Sequence, residues 1–291
     1  MIEAPSNELR LVLIGKTGNG KSKTGNTILG EKAYSCGASG TSITTTCQLR
    51  DATRFNKRIS LVDTPGAFDT RTNNEKIQNE IKRCIWLTSP GPHAIVLCVQ
   101  TGRFTEEDVE TVNHFCSYFG ENLAKYVIVL FTRFDDWKRD TNNPNIQGFI
   151  DTLPRTLSDF LHKCGNRYIA FDNTLTGEEA QGQVERLLAM VENIVRENGG
   201  SHYTSEDYQR AEVALQKQII ENKAKKEKEI LEMQQEMRKE IGEDLRKDYE
   251  ERERRLKAEL DSVRNDTKSS KNWLEGIIDA GVKLVRTLFK F

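Results

Sequence analysis

No C-x-x-C pair occurs in this sequence. Its six cysteines, Cys36, Cys47, Cys84, Cys98, Cys116 and Cys164, are irregularly spaced, and several lie in apolar runs where a small buried thiol is the ordinary role. That spacing excludes a zinc ribbon or a disulfide framework as the organising device. Excess charge of one sign is missing too: 43 Lys and Arg stand against 44 Asp and Glu. Such a balance lacks the electrostatic footprint of a nucleic-acid surface, so no nucleic-acid partner is expected. Long apolar runs are also absent, since wholly apolar stretches such as Ala94 to Val99 fall far short of the roughly 20 residues that cross a bilayer. The opening MIEAPSNELR has no basic stretch leading into an apolar one, so a cytoplasmic protein is the expectation.

What is present falls into two regions. Short β-branched runs at Leu9 to Ile14, Ile59 to Val62, Ala94 to Val99, Val127 to Phe131 and Tyr168 to Phe171 alternate with segments of helical length. Alternation of this kind predicts an α/β three-layer sandwich with a mostly parallel sheet covered on both faces. Gln48 to Arg54, followed by Asn56 and Ile59, reads as a hairpin that adds one antiparallel strand. Gly199, Gly200 and Ser201 then interrupt the pattern, which predicts a linker near 199–204. Beyond it, more than half of the residues from Glu206 to Asp266 are charged.

Within that charged region an apolar stripe runs through Ile230, Met233, Met237, Ile241, Leu245, Tyr249, Leu256, Leu260 and Val263. Its mean step is nearer the period of a straight helix than the ~3.5 of a left-handed coiled coil. The preferred expectation is one long helix folded back on the first region, with intermolecular coiled coil as the alternative. Residues 271–291 are different again. Trp273, Ile277, Leu284 and Leu288, with Leu274, Ile278, Val285 and Phe289, make one wide apolar helical face. Two readings stay open for this segment: contact with a membrane or lipid droplet, or docking on the protein's own surface. The expected divisions are therefore a tail (1–8), a sandwich domain (9–200), a charged helical extension (201–266) and an amphipathic helix (267–291).

The chemistry is concentrated in the first region. Gly15-Lys16-Thr17-Gly18-Asn19-Gly20-Lys21-Ser22 satisfies G-x-x-x-x-G-K-[ST] between a predicted strand and a predicted helix, the context a phosphate-binding loop requires. Its glycines let successive N–H groups turn toward phosphate oxygens at a helix N-terminus. Lys21 reaches the terminal phosphates, and Ser22 offers a hydroxyl to Mg²⁺. Strand Ile59 to Val62 runs into Asp63-Thr64-Pro65-Gly66, which places a carboxylate for the metal and a Gly66 N–H for the γ-phosphate. In TSITTTC, residues 41–47, Thr44 is the chosen hydroxyl for closing the metal shell, with Thr45 and Thr46 as alternatives. Thr132-Arg133-Phe134-Asp135 follows another strand, and a carboxylate at Asp135 can accept from both guanine N1–H and N2–H₂, a pair that adenine does not present. Phe134 is a candidate cover for the ring, and Asn173, after the last strand, a candidate partner for guanine O6. GTP or GDP with Mg²⁺ is the expected cofactor set.

These residues closely resemble the AIG1-type GTPases of the immunity-associated family, known as GIMAPs. The match comprises GKTGNGKS with the following GNTILG, DTPGAFDT, the box GPHAIVLCVQTGRFTEED at 91–108, VLFTRFDD and RYIAFDN, and it covers about residues 9–200. It departs from the family at Cys36, where members often carry serine near the nucleotide, and at Phe134, where lysine is commoner. The resemblance implies GTP and GDP binding, nucleotide-controlled self-association through the nucleotide face and a helical C-terminal extension packed on the GTPase domain. Ala67 stands where a Ras-like GTPase has its water-orienting glutamine, so slow intrinsic hydrolysis is expected. Arg103, in the family box, is the candidate arginine supplied in trans across a dimer, acting with Lys21 and Thr44 on the reacting phosphate. An enzyme whose turnover resets a switch and a module that only assembles on GTP both remain open. A peripheral location on an intracellular membrane would follow if residues 271–291 bind lipid.

Overall fold

The structure is a computed structural model that describes residues 7–37, 44–66, 74–102, 121–141, 145–239 and 243–266. Strand β1 (Glu8–Ile14) leads through the glycine loop into α1 (Lys21–Leu29). Strands β2 (Gln48–Arg54) and β3 (Lys57–Asp63) form the expected hairpin, and α2 (Asn74–Thr88) returns to β4 (Ala94–Gln100). Then come β5 (Val127–Thr132), the short helices α3 (Phe134–Asp140), α4 (Ile146–Ile150) and α5 (Arg155–Lys163), β6 (Tyr168–Ala170) and α6 (Gly177–Glu197).

The described strands form one sheet of order β2-β3-β1-β4-β5-β6. Only β2 runs antiparallel to its neighbour. Period-two alternation sends Leu9, Leu11 and Leu13 to one face, where they join Ile59, Leu61, Val96, Cys98, Ile128 and Leu130 beneath α1 and α6. Helix α2 lies against β1 and β3, and with Ile81, Cys84 and Ile85 buried it covers the other face. Both faces are therefore dry, which is why the central strands read as continuous apolar runs. Parallel order also brings the C-terminal ends of β1, β3, β4, β5 and β6 to one edge of the sandwich, where the chemistry-bearing loops collect.

The expected linker at 199–204 is in part a docked strap. Tyr203 is 2% exposed and donates its N–H to the Pro92 carbonyl at 2.8 Å. The His202 ring meets His93 edge-on, and the buried Tyr208 hydroxyl lies 2.9 Å from Thr88 Oγ1, in the last turn of α2. Gly91 makes room for this strap, because a Cβ there would stand 1.9 Å from the Tyr203 carbonyl oxygen. One compact unit ends at Tyr208, and a second starts at Gln209.

The charged region departs from one long helix. It forms α7 (Glu206–Lys239) and α8 (Glu243–Asp266), and the apolar stripe is divided between them. Lys226 pairs with Glu259, and Gln234 with Glu253, so the two helices run antiparallel. Residues 271–291 lie outside the described residues.

Candidate functional site

Backbone geometry in the glycine loop explains why the motif has glycine where it does. Gly15 has φ 139°, and a Cβ on it would stand 2.4 Å from the Cys98 carbonyl oxygen; Gly20 caps α1 in the left-handed region with φ 79°. The loop is braced from below. Asn19 donates its side-chain amide to the Cys98 carbonyl at 2.9 Å, and Thr132 Oγ1 donates to the Asn19 carbonyl at 3.0 Å. Lys21, a buried side chain, donates from Nζ to the Gly15 and Lys16 carbonyls at 2.7 and 2.8 Å, which holds the ammonium across the loop it springs from.

Beside that ammonium is a cluster of hard oxygens. Ser22 Oγ donates to Asp63 Oδ2 at 2.6 Å, and Thr44 Oγ1 lies 3.2 Å from both Asp63 Oδ2 and Ser22 Oγ. Thr45 and Thr46 are exposed, so of the three candidate hydroxyls it is Thr44 that reaches Ser22 and Asp63. Asp63 is fully buried, and its Oδ1 has no hydrogen-bond partner. Desolvation pushes the Asp63 carboxyl above its ordinary range, although Ser22, Lys21 and Thr44 all oppose the shift. Burial likewise pulls Lys21 below its ordinary value in spite of the Asp63 charge. An orphaned buried carboxylate oxygen beside two hydroxyls fits a hard divalent cation, which needs few protein ligands and keeps water for the rest. Gly66 closes over the loop so tightly that a Cβ on it would fall 1.9 Å from Thr17 Oγ1.

A cavity of about 640 Å³ opens from this cluster, lined among others by Thr17, Lys21, Cys36, Arg133, Asp135 and Asn173. Arg133 adopts φ 55° as the N-cap of α3, which puts Asp135 in the first turn of that helix and on the cavity wall. The Thr101 hydroxyl fixes this bend by donating to the Arg133 carbonyl at 2.7 Å. Asn173 is held from α1: its Nδ2 donates to Thr24 Oγ1 at 2.9 Å, and its Oδ1 accepts from Thr27 Oγ1 at 2.8 Å. Cys36 is exposed at the rim, with its Sγ 3.6 Å from Asn26 Nδ2.

Phe134 departs from the expected ring cover. Its side chain is buried and lines a separate pocket with Tyr168 and Ile169, while Lys138 lies over its ring. Apolar burial wins over exposure at the cavity rim because β6 leaves an apolar trough beside α3. Sequence reasoning gave no role to Thr24, Thr27 and Thr132, which brace the site; Thr27 and Thr132 lie inside segments quoted for the family resemblance, as does Asp136 on the cavity wall, whereas Thr24 falls between two of them. Arg103 lies outside the described residues. Among the described residues no cluster of three or more His, Cys, Asp or Glu is placed to hold a metal, in keeping with a site built partly from hydroxyls.

Comparison with known proteins extends this picture. Immune-associated nucleotide-binding protein 9 of Arabidopsis thaliana is 38% identical over 225 residues, covering 76% of this chain and 64% of that protein. GTPase IMAP family member 8 of Homo sapiens is 34% identical over 197 residues, covering 68% of this chain and 28% of that protein. The chain thus spans less than two thirds of the length of these relatives. Among solved structures, Toc33 from Arabidopsis thaliana in complex with Mg²⁺ and GMPPNP superposes with a TM-score of 0.53 at 16% identity, covering 69% of this chain and 89% of that one; the likeness is one of fold. Among the described residues no helix is long and apolar enough to cross a membrane. The AIG1 family model matches residues 9–226, and this chain belongs to the AIG1 family.

Proposed function

We propose that this chain is a guanine-nucleotide switch that binds GTP and GDP with Mg²⁺, hydrolyses GTP slowly and self-associates through its nucleotide face. The observation that carries the reading is the partnerless Asp63 Oδ1, buried beside Ser22 and Thr44 at the mouth of a phosphate-binding loop. Ser22, Thr44 and Asp63 would hold Mg²⁺, which when bound neutralises charge on the phosphate oxygens. The N–H groups of residues 15–20 and the Lys21 ammonium orient the phosphates, and Gly66 offers a further N–H to the γ-phosphate. Asp135 selects guanine by accepting from N1–H and N2–H₂, and Asn173 faces O6.

Hydrolysis needs more than this wall provides. Ala67 follows Asp63-Thr64-Pro65-Gly66 and carries no group that can orient water. We assign the missing charge stabilisation to Arg103 of a second copy, a contribution of about 10³ to 10⁵ in rate where an arginine acts in this way. One curated relative is named a GTPase, and for Toc33, a protein alike in fold, dimerisation is important for GTPase activity; both support the reading. Residues 271–291 add a peripheral contact with an intracellular membrane or lipid droplet from the cytoplasmic side.

The test is GTP turnover per molecule across a hundredfold range of protein concentration, with Arg103→Ala alongside. A rate that rises with concentration and is lost in the variant supports the dimer-activated enzyme. A flat, near-zero rate with guanine nucleotide bound replaces it with a GTP-dependent scaffold that another protein must reset.

A further inference from the structure

The sheet has an open side at β6. The Arg167 carbonyl accepts from the Val129 N–H at 2.9 Å, and the Phe171 N–H donates to the Phe131 carbonyl at 2.8 Å. Because a strand turns alternate residues to opposite neighbours, Arg167, Ile169 and Phe171 direct their backbone groups at β5, and Tyr168 and Ala170 direct theirs away from it. Strand β6 is last in the sheet order, and among the described residues nothing hydrogen-bonds the N–H or C=O groups of Tyr168 and Ala170.

A groove runs along that side. It is a cavity of about 530 Å³ with Lys138 and Ile146 from α3 and α4, and Arg186 and Met190 from α6, beside Tyr168 and Ala170. Phe134 and Ile169, both buried, add to its apolar surface. Its charge is one-sided. Lys138 and Arg186 are exposed, and neither has an ion-pair partner among the described residues. Asp172, the acid on the groove, is already engaged, since its Oδ1 accepts the Thr174 N–H at 2.8 Å.

We propose that the groove seats an extended peptide of a partner protein, which adds a strand to β6 and places an apolar side chain between acidic neighbours. The unpaired strand groups supply main-chain pairing, the apolar wall takes a side chain, and the two cations choose the sign of the flanks. The three residues of β6 span about 10 Å, so the paired stretch is short and charge carries much of the selection. Two other occupants have the wrong sign. A second copy pairing through its own β6 brings the same positive excess, and residues 271–291 carry four Lys and Arg against two Asp and Glu.

The experiment titrates the full chain with capped peptides, Glu-Val-x-Val-Asp-Glu with Leu, Phe, Tyr or Trp at x, followed by fluorescence anisotropy. Saturable binding of at least one is expected, with amide exchange slowed at Tyr168 and Ala170. Replacing the peptide's acids by lysine should weaken it at least about tenfold, and so should Lys138→Glu with Arg186→Glu, both at exposed positions. Ala170→Pro removes one outward donor and should weaken binding roughly fivefold; an alternately N-methylated peptide makes the same test with the chain unaltered. Binding by none of these peptides, equal binding of the lysine forms, or full affinity in the charge-reversed chain would overturn the proposal. So would self-association of the unliganded chain that itself slows exchange at Tyr168 and Ala170, because a second copy then holds the groove.

Discussion

Leu11, in the middle of β1, is wholly buried between β3 and β4, and it shares a core with some twenty other apolar side chains. In the second unit, beyond Leu215, Ile230 is the one buried side chain among those described. What that unit has instead are ion pairs one turn apart: Lys217–Glu221, Lys228–Glu232, Glu251–Arg255 and Glu253–Lys257. Exposed pairs of this kind contribute a few tenths of a kcal/mol each and are screened by salt, whereas apolar burial is not. The body therefore holds its site rigid through area removed from water. The α7–α8 helical hairpin, with little area buried, is expected to be less stable and more sensitive to ionic conditions.

Four measurements sharpen or break this contrast. Lys21→Ala should have the largest effect, lowering GTP affinity at least about 100-fold by titration calorimetry, the value of two charge-assisted hydrogen bonds, while leaving hairpin helicity unchanged. Phe131→Ala removes a fully buried ring that packs against Phe149, and about 3–5 kcal/mol of stability should be lost in urea unfolding of the body. Ile230→Ala should cost about 2 kcal/mol, and hydrogen exchange should show that loss in α7 and α8 alone. If body amides accelerate as well, the two units are not independent.

The smallest effect is one of pH. Hydrogen bonds from Lys257 and Gln234 hold the Glu253 carboxyl below its ordinary value of 4.5. A depressed folded-state value means that the stabilisation is present above pH 4.5 and is lost as pH falls through the folded value. Hairpin helicity, followed by circular dichroism, should therefore decline on acidification below that point. Lys257→Met together with Gln234→Leu should flatten the decline.

The sandwich was legible because its signals are local. A phosphate loop demands glycines at fixed spacing, and buried parallel strands demand apolar runs, so Gly15 to Ser22 and the strand at Leu9 to Ile14 announced themselves without knowledge of distant residues. The strap was not legible. Tyr203 docks on Pro92, more than a hundred residues away, and nothing beside it in the chain shows that a glycine at 91 leaves it room. Phe134 was misplaced for a similar reason, since its surroundings come from β6. The single long helix failed differently. Its stripe had the right period throughout, but Gly242 carried a penalty of about 1 kcal/mol relative to alanine that the period count ignored. Within the site, Asp63 was read from its motif, while the bracing of Asn173 by Thr24 and Thr27 required the fold.

Cys36 gives the site a chemical handle. Among the described cysteines Cys47, Cys84, Cys98 and Cys164 are buried, and burial holds the Cys98 thiol up at about 12, so of these five a mild alkylating dye at neutral pH meets Cys36 first, and a Cys116→Ser background confines the label to it. Because that thiol stands on the rim of the nucleotide cavity, its labelling rate becomes an optical count of occupied sites. Titrating guanosine nucleotides against that rate ranks their affinities without a radioactive or fluorescent ligand.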